Sequence, residues 1–246
     1  MSRSVLIRLA LAVILVGIAA GGGYGLWILF LQPAGPAAVN VSTVPIPSIA
    51  ASGSGSLRTT PASFDGTWKV DTSIGSFSDS TSSFVGYRVQ EQLANIGANT
   101  AVGRTPDVSG TLTLQGTIVT AVEVTANLAT LKSNDDRRDG QLHRQALETD
   151  QFPTATFKLT QPIDLGTAPA EGEAVSVTAT GDLTLHGQTK SVQIPLKAKR
   201  AGGVIAVTGS LEITFADFGI AKPTSFLVLS VQDHGTLELQ LFFTRA

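Results

Sequence analysis

Three histidines are the side chains in this sequence best suited to metal binding, and they lie in three separate segments. They are His143, His186 and His234, and Asp139 stands four residues before His143. A metal ion requires ligands that converge on one point. No HExxH motif or comparable ligand spacing is present, so the sequence predicts no metal site. Convergence of the three histidines in the fold would instead favour a metal-dependent enzyme.

The sequence contains no cysteine, which excludes a thiolate nucleophile, a disulfide framework and a thiolate metal site. Serine and aspartate are common, but no nucleophile elbow is present and no pattern places a base beside a nucleophile. We therefore expect neither enzymatic activity nor a cofactor. The formal net charge of −2 also lacks the basic character that nucleic-acid binding requires.

A run of five charged residues, DDRRD, occupies positions 135–139. Runs of mixed charge are usually solvated surface. The alternative is that Arg137 or Arg138 binds the phosphate of a lipid headgroup, since guanidinium groups recognise phosphate through paired hydrogen bonds. The sequence alone leaves both interpretations open.

The N-terminal region, residues 1–31, is predicted to be a cytoplasmic stub followed by a transmembrane anchor. The run Leu9–Leu31 contains 23 residues without a charge, and as a helix it would span about 35 Å, more than the roughly 30 Å hydrocarbon core of a bilayer. A cleaved signal peptide has a shorter apolar region, so an uncleaved anchor is favoured. Arg3 and Arg8 precede the run, and the positive-inside rule therefore places the following domain outside the cytoplasm. The predicted location is the cell membrane, with a single span.

Three glycines within the apolar run, Gly17, Gly21 and Gly25, recur at every fourth position. Small residues with this spacing allow two membrane helices to pack closely, which suggests a homodimer. The alternative is that these glycines have no such role, because glycine is common in membrane helices.

Residues 32–63 are predicted to form a flexible linker. This segment is rich in proline, alanine, serine and glycine, contains a single charge and lacks an apolar period. The composition changes at Phe64, where apolar residues begin to alternate with polar ones. The chain therefore divides into an anchor (1–31), a linker (32–63) and a folded domain (64–246).

Apolar and polar residues alternate in several segments of the folded domain, which is typical of strands with one buried face. The clearest example is GDLTLHGQTKSVQIPL at positions 181–196, where two alternating runs flank a turn that contains Gly187. Similar alternation occurs at 85–90, 122–128, 205–215 and 237–243. These long strands favour an all-β fold, an extended antiparallel barrel rather than a small sandwich. One non-β segment, 132–150, is predicted to form a short helix over one end of the barrel.

Three short motifs occur in order in the folded domain. They are RD…L…FPTATF within 138–157, GDLTLHG…TK within 181–190 and DFGI at 217–220. Together they resemble the YceI-like family of polyisoprenoid-binding, lipocalin-like proteins, and the resemblance extends from about Phe64 to Phe243. It implies an antiparallel barrel whose apolar lumen holds an isoprenoid or another long amphiphilic chain. Gln141 stands where members of the family often carry a histidine.

The residues expected to line this lumen come from the alternating strands and from the helical segment. An eight-stranded barrel is just wide enough to hold one small ligand or to be filled by its own side chains. The predicted lumen residues are Val85, Tyr87, Val89, Leu142, Leu147, Phe152, Phe157, Leu185, Phe215 and Phe218. The alternative for any of them is core packing, because alternation assigns faces but does not separate lumen from core.

The sequence therefore predicts a membrane-anchored, extracytoplasmic lipid-binding protein that sequesters or carries a polyisoprenoid or a similar long amphiphile. The alternative is a filled β-barrel that acts, without ligand, as an extracellular protein-interaction or envelope-stress domain. A continuous cavity favours the first interpretation, and a packed interior with a large exposed apolar patch favours the second.

Overall fold

The strands of the described chain form one antiparallel sheet. The computed structural model describes residues 35–40, 65–94, 97–223 and 228–246. The predicted anchor (1–31), its three-glycine motif and most of the predicted linker lie outside these residues. Among the described residues, no helix is long and apolar enough to cross a membrane.

Twelve β-strands and a few short helical turns make up the described fold. The strands are β1 (Gly66–Val70), β2 (Phe84–Leu93), β3 (Gly97–Thr105), β4 (Val108–Gln115), β5 (Ile118–Asn127), β6 (Thr154–Leu159), β7 (Ile163–Asp164), β8 (Ala174–Leu185), β9 (Gln188–Ala201), β10 (Val204–Thr214), β11 (Val228–Val231) and β12 (His234–Arg245). The helical elements are a 3₁₀ turn (Leu128–Thr130), helix α1 (Asp136–Gln141), a π-helical turn (Leu142–Ala146) and a second 3₁₀ turn (Phe215–Phe218). The predicted all-β class with one short helix is confirmed.

Eight of these strands close into a barrel. Hydrogen-bonded neighbours follow the order β1-β4-β5-β6-β8-β9-β10-β12, and β12 pairs with β1, with Trp68 opposite Arg245, to complete the ring. Strand β2 pairs with the other half of β12 and also carries β3 and β11. Because a closed ring has no free edge, the backbone groups of the wall are paired internally. The predicted lipocalin-like antiparallel barrel is confirmed.

The β8–β9 hairpin shows how the sequence produces this wall. Its strands pair over twelve positions and end with Leu185 opposite Gln188. His186 and Gly187 form the two-residue turn with φ values of 51° and 71°, and a type I′ turn requires positive φ at both positions. His186 is not a glycine, and the contacts of its imidazole with the carbonyl of Phe218 and with Glu148 stabilise this less common conformation.

The predicted helical segment closes the end of the barrel at which β8 terminates. Asp135 caps α1, because its side chain accepts hydrogen bonds from the backbone N–H groups of Arg137 and Arg138. The π-helical turn then brings Leu142 and Leu147 onto a cluster of buried apolar side chains. This cluster comprises Leu128, Leu131, Leu147, Leu183, Leu185, Ile213 and Phe218.

The outer face of β12 is also buried, which strict alternation does not predict. Phe242 and Gln240 point away from the lumen, yet both are buried, because residues 71–83 cover them. The side-chain amide of Gln240 donates a hydrogen bond to the carbonyl of Ser82 at 2.8 Å, and Phe242 packs against Ile74. A second, smaller apolar layer therefore lies outside the barrel.

Arg88, Arg104 and Glu238 form a group of charges on the same outer face, called the outer ion cluster below, in which Arg104 and Glu238 are buried and Arg88 is partly buried. The Nε groups of Arg88 and Arg104 donate to the two carboxylate oxygens of Glu238 at 2.8 and 2.7 Å. The Glu238 side chain is only 1% exposed. The guanidinium of Arg104 also lies 4.2 Å from the ring centroid of Phe84, within cation–π range. Each buried charge thus has an opposite charge in contact, as burial requires.

Candidate functional site

The barrel encloses an apolar cavity of about 780 Å³. The lining residues extend from Glu173 and Arg200, where β8 begins and β9 ends, to Leu93 and Val231 at the end that carries α1. A volume of this size falls within the range of small-molecule binding sites. The described interior is therefore a continuous lumen rather than a filled core.

The cavity is hollow because most inward positions carry small or branched aliphatic side chains. On β8, Val175, Val177 and Ala179 line the lumen, while Ser176 and Thr178 between them are exposed on the outer face. The aromatic residues among those lining the cavity are Tyr87, Phe157, Phe215 and Phe243. The strand number sets the barrel diameter, and side chains of this volume leave its centre unfilled.

Most of the predicted lumen residues lie in the cavity wall. They are Val85, Tyr87, Val89, Leu142, Leu147, Phe157, Leu185 and Phe215. Phe152 and Phe218 do not line the cavity, and both lie outside the strands, where alternation assigns no face. Phe152 packs against the imidazole of His186 with 4.5 Å between ring centroids, and Phe218 is buried in the apolar cluster beneath α1. Ligand contact by any of these residues stays a prediction.

Several wall residues were missed although the same alternation marks them. They face inwards on β5, β9, β10 and β12, and include Val122, Leu196, Val207 and Leu239. Their alternation was visible in the sequence, but a filled barrel has the same alternation. Only the closed barrel separates residues that face empty space from residues that face one another.

The cavity wall near α1 contains two acidic and two basic side chains, those of Glu91, Asp135, Arg137 and Arg138. Arg138 donates to Glu91 at 2.7 Å and to the side-chain carbonyl of Asn134 at 2.8 Å. The predicted headgroup contact by Arg138 would therefore share a guanidinium already paired with a buried carboxylate. Arg137 is exposed at this rim. The two acidic and two basic side chains of this rim balance in charge, so the rim has no net positive charge that would attract a phosphate. Phosphate binding there stays a prediction.

Tyr87 places a hydroxyl group in the cavity wall near this rim. Among the described residues, the hydroxyl has no hydrogen-bond partner and is buried. The ring lies over Gly103, its partner on β3, where any side chain would collide with it. Burial raises the pKa of Tyr87 well above its usual range; Arg138 opposes the increase, while Asp139 and Glu91 add to it. The neutral hydroxyl can hydrogen-bond a polar group that enters the lumen.

We expect Tyr87 to resist ionisation until the domain unfolds. Because folding raises the pKa, this contribution to stability is complete below the ordinary value of about 10 and is lost as the pH rises through the folded value. In a Tyr24→Phe chain Tyr87 is the single tyrosine, so tyrosinate absorbance reports on it alone. In an alkaline titration, tyrosinate absorbance and the unfolded fraction, followed by circular dichroism, should increase over the same pH range. Ionisation near pH 10 in a chain that keeps its circular dichroism would contradict this expectation.

The histidines form hydrogen bonds at separate places instead of converging. Nδ1 of His186 donates to the carbonyl of Phe218, and its Nε2 lies 3.0 Å from a carboxylate oxygen of Glu148. His143 donates to a backbone carbonyl at 3.1 Å, and His234 contacts the neighbouring aspartate. Across the described ranges, no group of three or more His, Cys, Asp or Glu side chains is arranged to hold a metal ion. This arrangement gives no support to a metal-dependent enzyme.

Comparison with known families and relatives matches most of the folded domain. Residues 60–243 match the family described as YceI-like domain. A UPF0312 protein of Vibrio cholerae is 30% identical over 142 residues, which cover 52% of this chain and 69% of the relative. Protein YceI of Shigella flexneri is 29% identical over 166 residues, which cover 61% of this chain and 80% of the relative.

Comparison with solved structures finds a similar fold. A polyisoprenoid binding domain from Saccharophagus degradans, implicated in plant cell wall breakdown, has a TM-score of 0.56 with 19% sequence identity. The match covers 73% of this chain and 98% of that domain. At this level of identity the likeness shows a shared fold.

Proposed function

This chain belongs to the YceI-like domain family, and we propose that its lumen binds the hydrocarbon part of a polyisoprenoid or a similar long amphiphile. The observation that carries the proposal is the continuous apolar cavity of about 780 Å³. The Saccharophagus domain of the same fold is a polyisoprenoid binding domain, which supports this ligand class. The hollow lumen weighs against the alternative of a filled barrel that acts without ligand.

The energetics of an apolar lumen suit exchange of lipid with a membrane. Moving one CH₂ group from water into the lumen gains about 0.8 kcal/mol. Moving it from a bilayer gains almost nothing, because lipid tails are as apolar as the aliphatic side chains of the wall. Binding therefore depends on how well the chain fits, and release back into a membrane is not opposed by the hydrophobic effect. No reaction is proposed.

The cavity volume sets the length of hydrocarbon that fits. At about 30 Å³ for each non-hydrogen atom, the liquid volume of one water molecule, the cavity of about 780 Å³ holds roughly 25 carbons, or about five isoprene units. Because wall residues reach both ends of the barrel, a longer chain would extend out of one end. Affinity should therefore rise with polyprenol length up to about five units and then level off.

The test is to purify the full-length chain from host membranes and to analyse its lipids by mass spectrometry after organic extraction. We expect an isoprenoid in a molar ratio close to one, and the length dependence above in titrations with polyprenols. A lipid-free chain that stays lipid-free after incubation with polyprenols, polyprenyl phosphates and isoprenoid quinones would overturn the proposal. An affinity that does not depend on polyprenol length would indicate that the ligand binds outside the lumen.

We also infer that residues 9–31 anchor the chain in the cell membrane, with the barrel outside the cytoplasm. The uncharged run of 23 residues, preceded by Arg3 and Arg8, supports this arrangement. Dimerisation through Gly17, Gly21 and Gly25 stays a prediction. Retention of the chain in the membrane fraction after alkaline extraction tests the anchor, and its release would contradict it.

A further inference from the structure

Residues 35–40, within the predicted linker, lie on the outer face of the barrel and are called the docking segment here. The carbonyl of Pro36 accepts a hydrogen bond from Arg88 of β2, and the carbonyl of Ala37 accepts one from Nη2 of Arg104 of β3 at 2.8 Å. Both arginines belong to the outer ion cluster. Two guanidinium groups face one carboxylate there, so the cluster has an excess of one positive charge. Carbonyl oxygens carry partial negative charge, so they complement this excess.

Further contacts continue along the docking segment. Gly35 packs against β3 so closely that a Cβ atom there would lie 2.9 Å from Cγ2 of Val102. Val39 and Asn40 share a shallow surface groove with residues of β8, β9 and β10, Gly209 among them. The segment therefore runs across the strands, from β3 to β10, rather than along one of them.

The docking segment follows the predicted anchor almost directly. Gly35 is four residues after Leu31, and four residues span at most about 14 Å. A random coil from Leu31 to Asp65 would instead have an r.m.s. length of about 30 Å and a limit near 120 Å. Docking thus shortens the distance over which the barrel can move away from the end of the anchor, compared with the flexible linker that the composition of residues 32–63 predicts.

We propose that the docking segment holds the barrel against the membrane in which the chain is anchored. The outer face of β2 and β3 then lies within about 14 Å of the point where the anchor leaves the bilayer. This inference rests on the anchor proposed for residues 9–31. Held in this way, the lumen exchanges lipid with that same membrane, because a barrel confined to one membrane surface does not carry lipid to a distant membrane.

The experiment uses the full-length chain in phosphatidylcholine nanodiscs. Because the sequence has no cysteine, spin labels can be placed selectively at Ala38→Cys and Lys158→Cys, both of which are exposed positions. Lys158 lies on β6, outside the groove that Val39 and Asn40 share. Gly35→Val introduces the collision with Val102 and should release the segment without altering the barrel. Gly53→Val is the same substitution elsewhere in the predicted linker and serves as the matched control.

Two distances are measured. Electron spin resonance between the two labels reports docking, and energy transfer from a dye at Lys158→Cys to labelled headgroups reports the separation of barrel and bilayer. We expect a narrow label-to-label distribution in the parent chain and in Gly53→Val. In Gly35→Val the distribution should broaden, and the mean separation from the bilayer should increase by about 15 Å or more.

The outcomes separate this inference from the anchor. A broad distribution in the parent chain, or a bilayer separation that Gly35→Val does not change, overturns the inference and leaves the anchor intact. A chain that does not insert into nanodiscs overturns both, even if the labels report docking. A narrow distribution with a short bilayer separation, both lost in Gly35→Val alone, supports the inference.

Discussion

A Val122→Asp chain is expected to lose lipid affinity by about 100-fold or more while it keeps its fold. Val122 lines the cavity from β5 and is only half-buried, so the new carboxylate faces the space that the hydrocarbon would occupy. Water can solvate this carboxylate in the empty lumen, but a bound hydrocarbon displaces that water. Stripping water from an unpaired charge costs several kcal/mol, and about 1.4 kcal/mol corresponds to a tenfold loss of affinity.

The neighbouring residue provides the matched control. Ala121 is exposed on the outer face of the same strand, so Ala121→Asp adds the same charge one position away. Equilibrium binding of a fluorescent polyprenol, together with the melting temperature, should be measured for both variants. Full binding by a folded Val122→Asp chain, or equal loss in both variants, would place the ligand outside the lumen.

Replacement of Glu238 by glutamine should destabilise the barrel by about 3–5 kcal/mol, the usual effect of removing one partner from a buried ion pair. Glu238 accepts from both Arg88 and Arg104, and its side chain is 1% exposed. Glutamine keeps the shape but leaves the buried guanidinium of Arg104 and the partly buried guanidinium of Arg88 without a counter-charge. For a domain of this size, the melting temperature should fall by roughly 10 °C.

Glu212→Gln is the control for this substitution, because Glu212 is exposed on the outer face of β10 and surface changes usually alter stability by less than about 0.5 kcal/mol. A triple variant, Arg88→Met and Arg104→Met with Glu238→Leu, should regain part of the loss, because apolar replacement of a whole buried ion pair or triad is often tolerated. Thermal unfolding followed by circular dichroism measures all three. An unchanged melting temperature in Glu238→Gln would show that the outer ion cluster contributes little to stability.

The strands and their inward faces could be predicted from the sequence because both depend on neighbouring residues. Val175 and Val177 alternate with Ser176 and Thr178 within a single strand, and the pleat turns that alternation into two faces. The hairpin turn at Gly187 was predictable for the same reason. Phe152 and Phe218 lie outside the strands and had no such pattern, and neither lines the cavity.

The outer face of β12 was not predictable in this way. Glu238, Gln240 and Phe242 occupy the outward positions, where alternation predicts exposure to solvent. Gln240 and Phe242 are buried because residues 71–83 cover them, and Glu238 is buried where it pairs with Arg88 and Arg104. Their partners are separated from them by about 130 residues or more, and no local period records contacts of that range.

The sequence by itself determined the strand pattern and the inward faces, because both depend on neighbouring residues, and it indicated the family through three short motifs in a fixed order. Only the tertiary structure decided that the lumen is hollow, that Arg138 is paired with Glu91, and that residues 35–40 contact the barrel. The reason is geometric. An empty volume and a long-range ion pair arise from the closure of eight strands around a common axis, and that closure brings together residues that are far apart in the sequence.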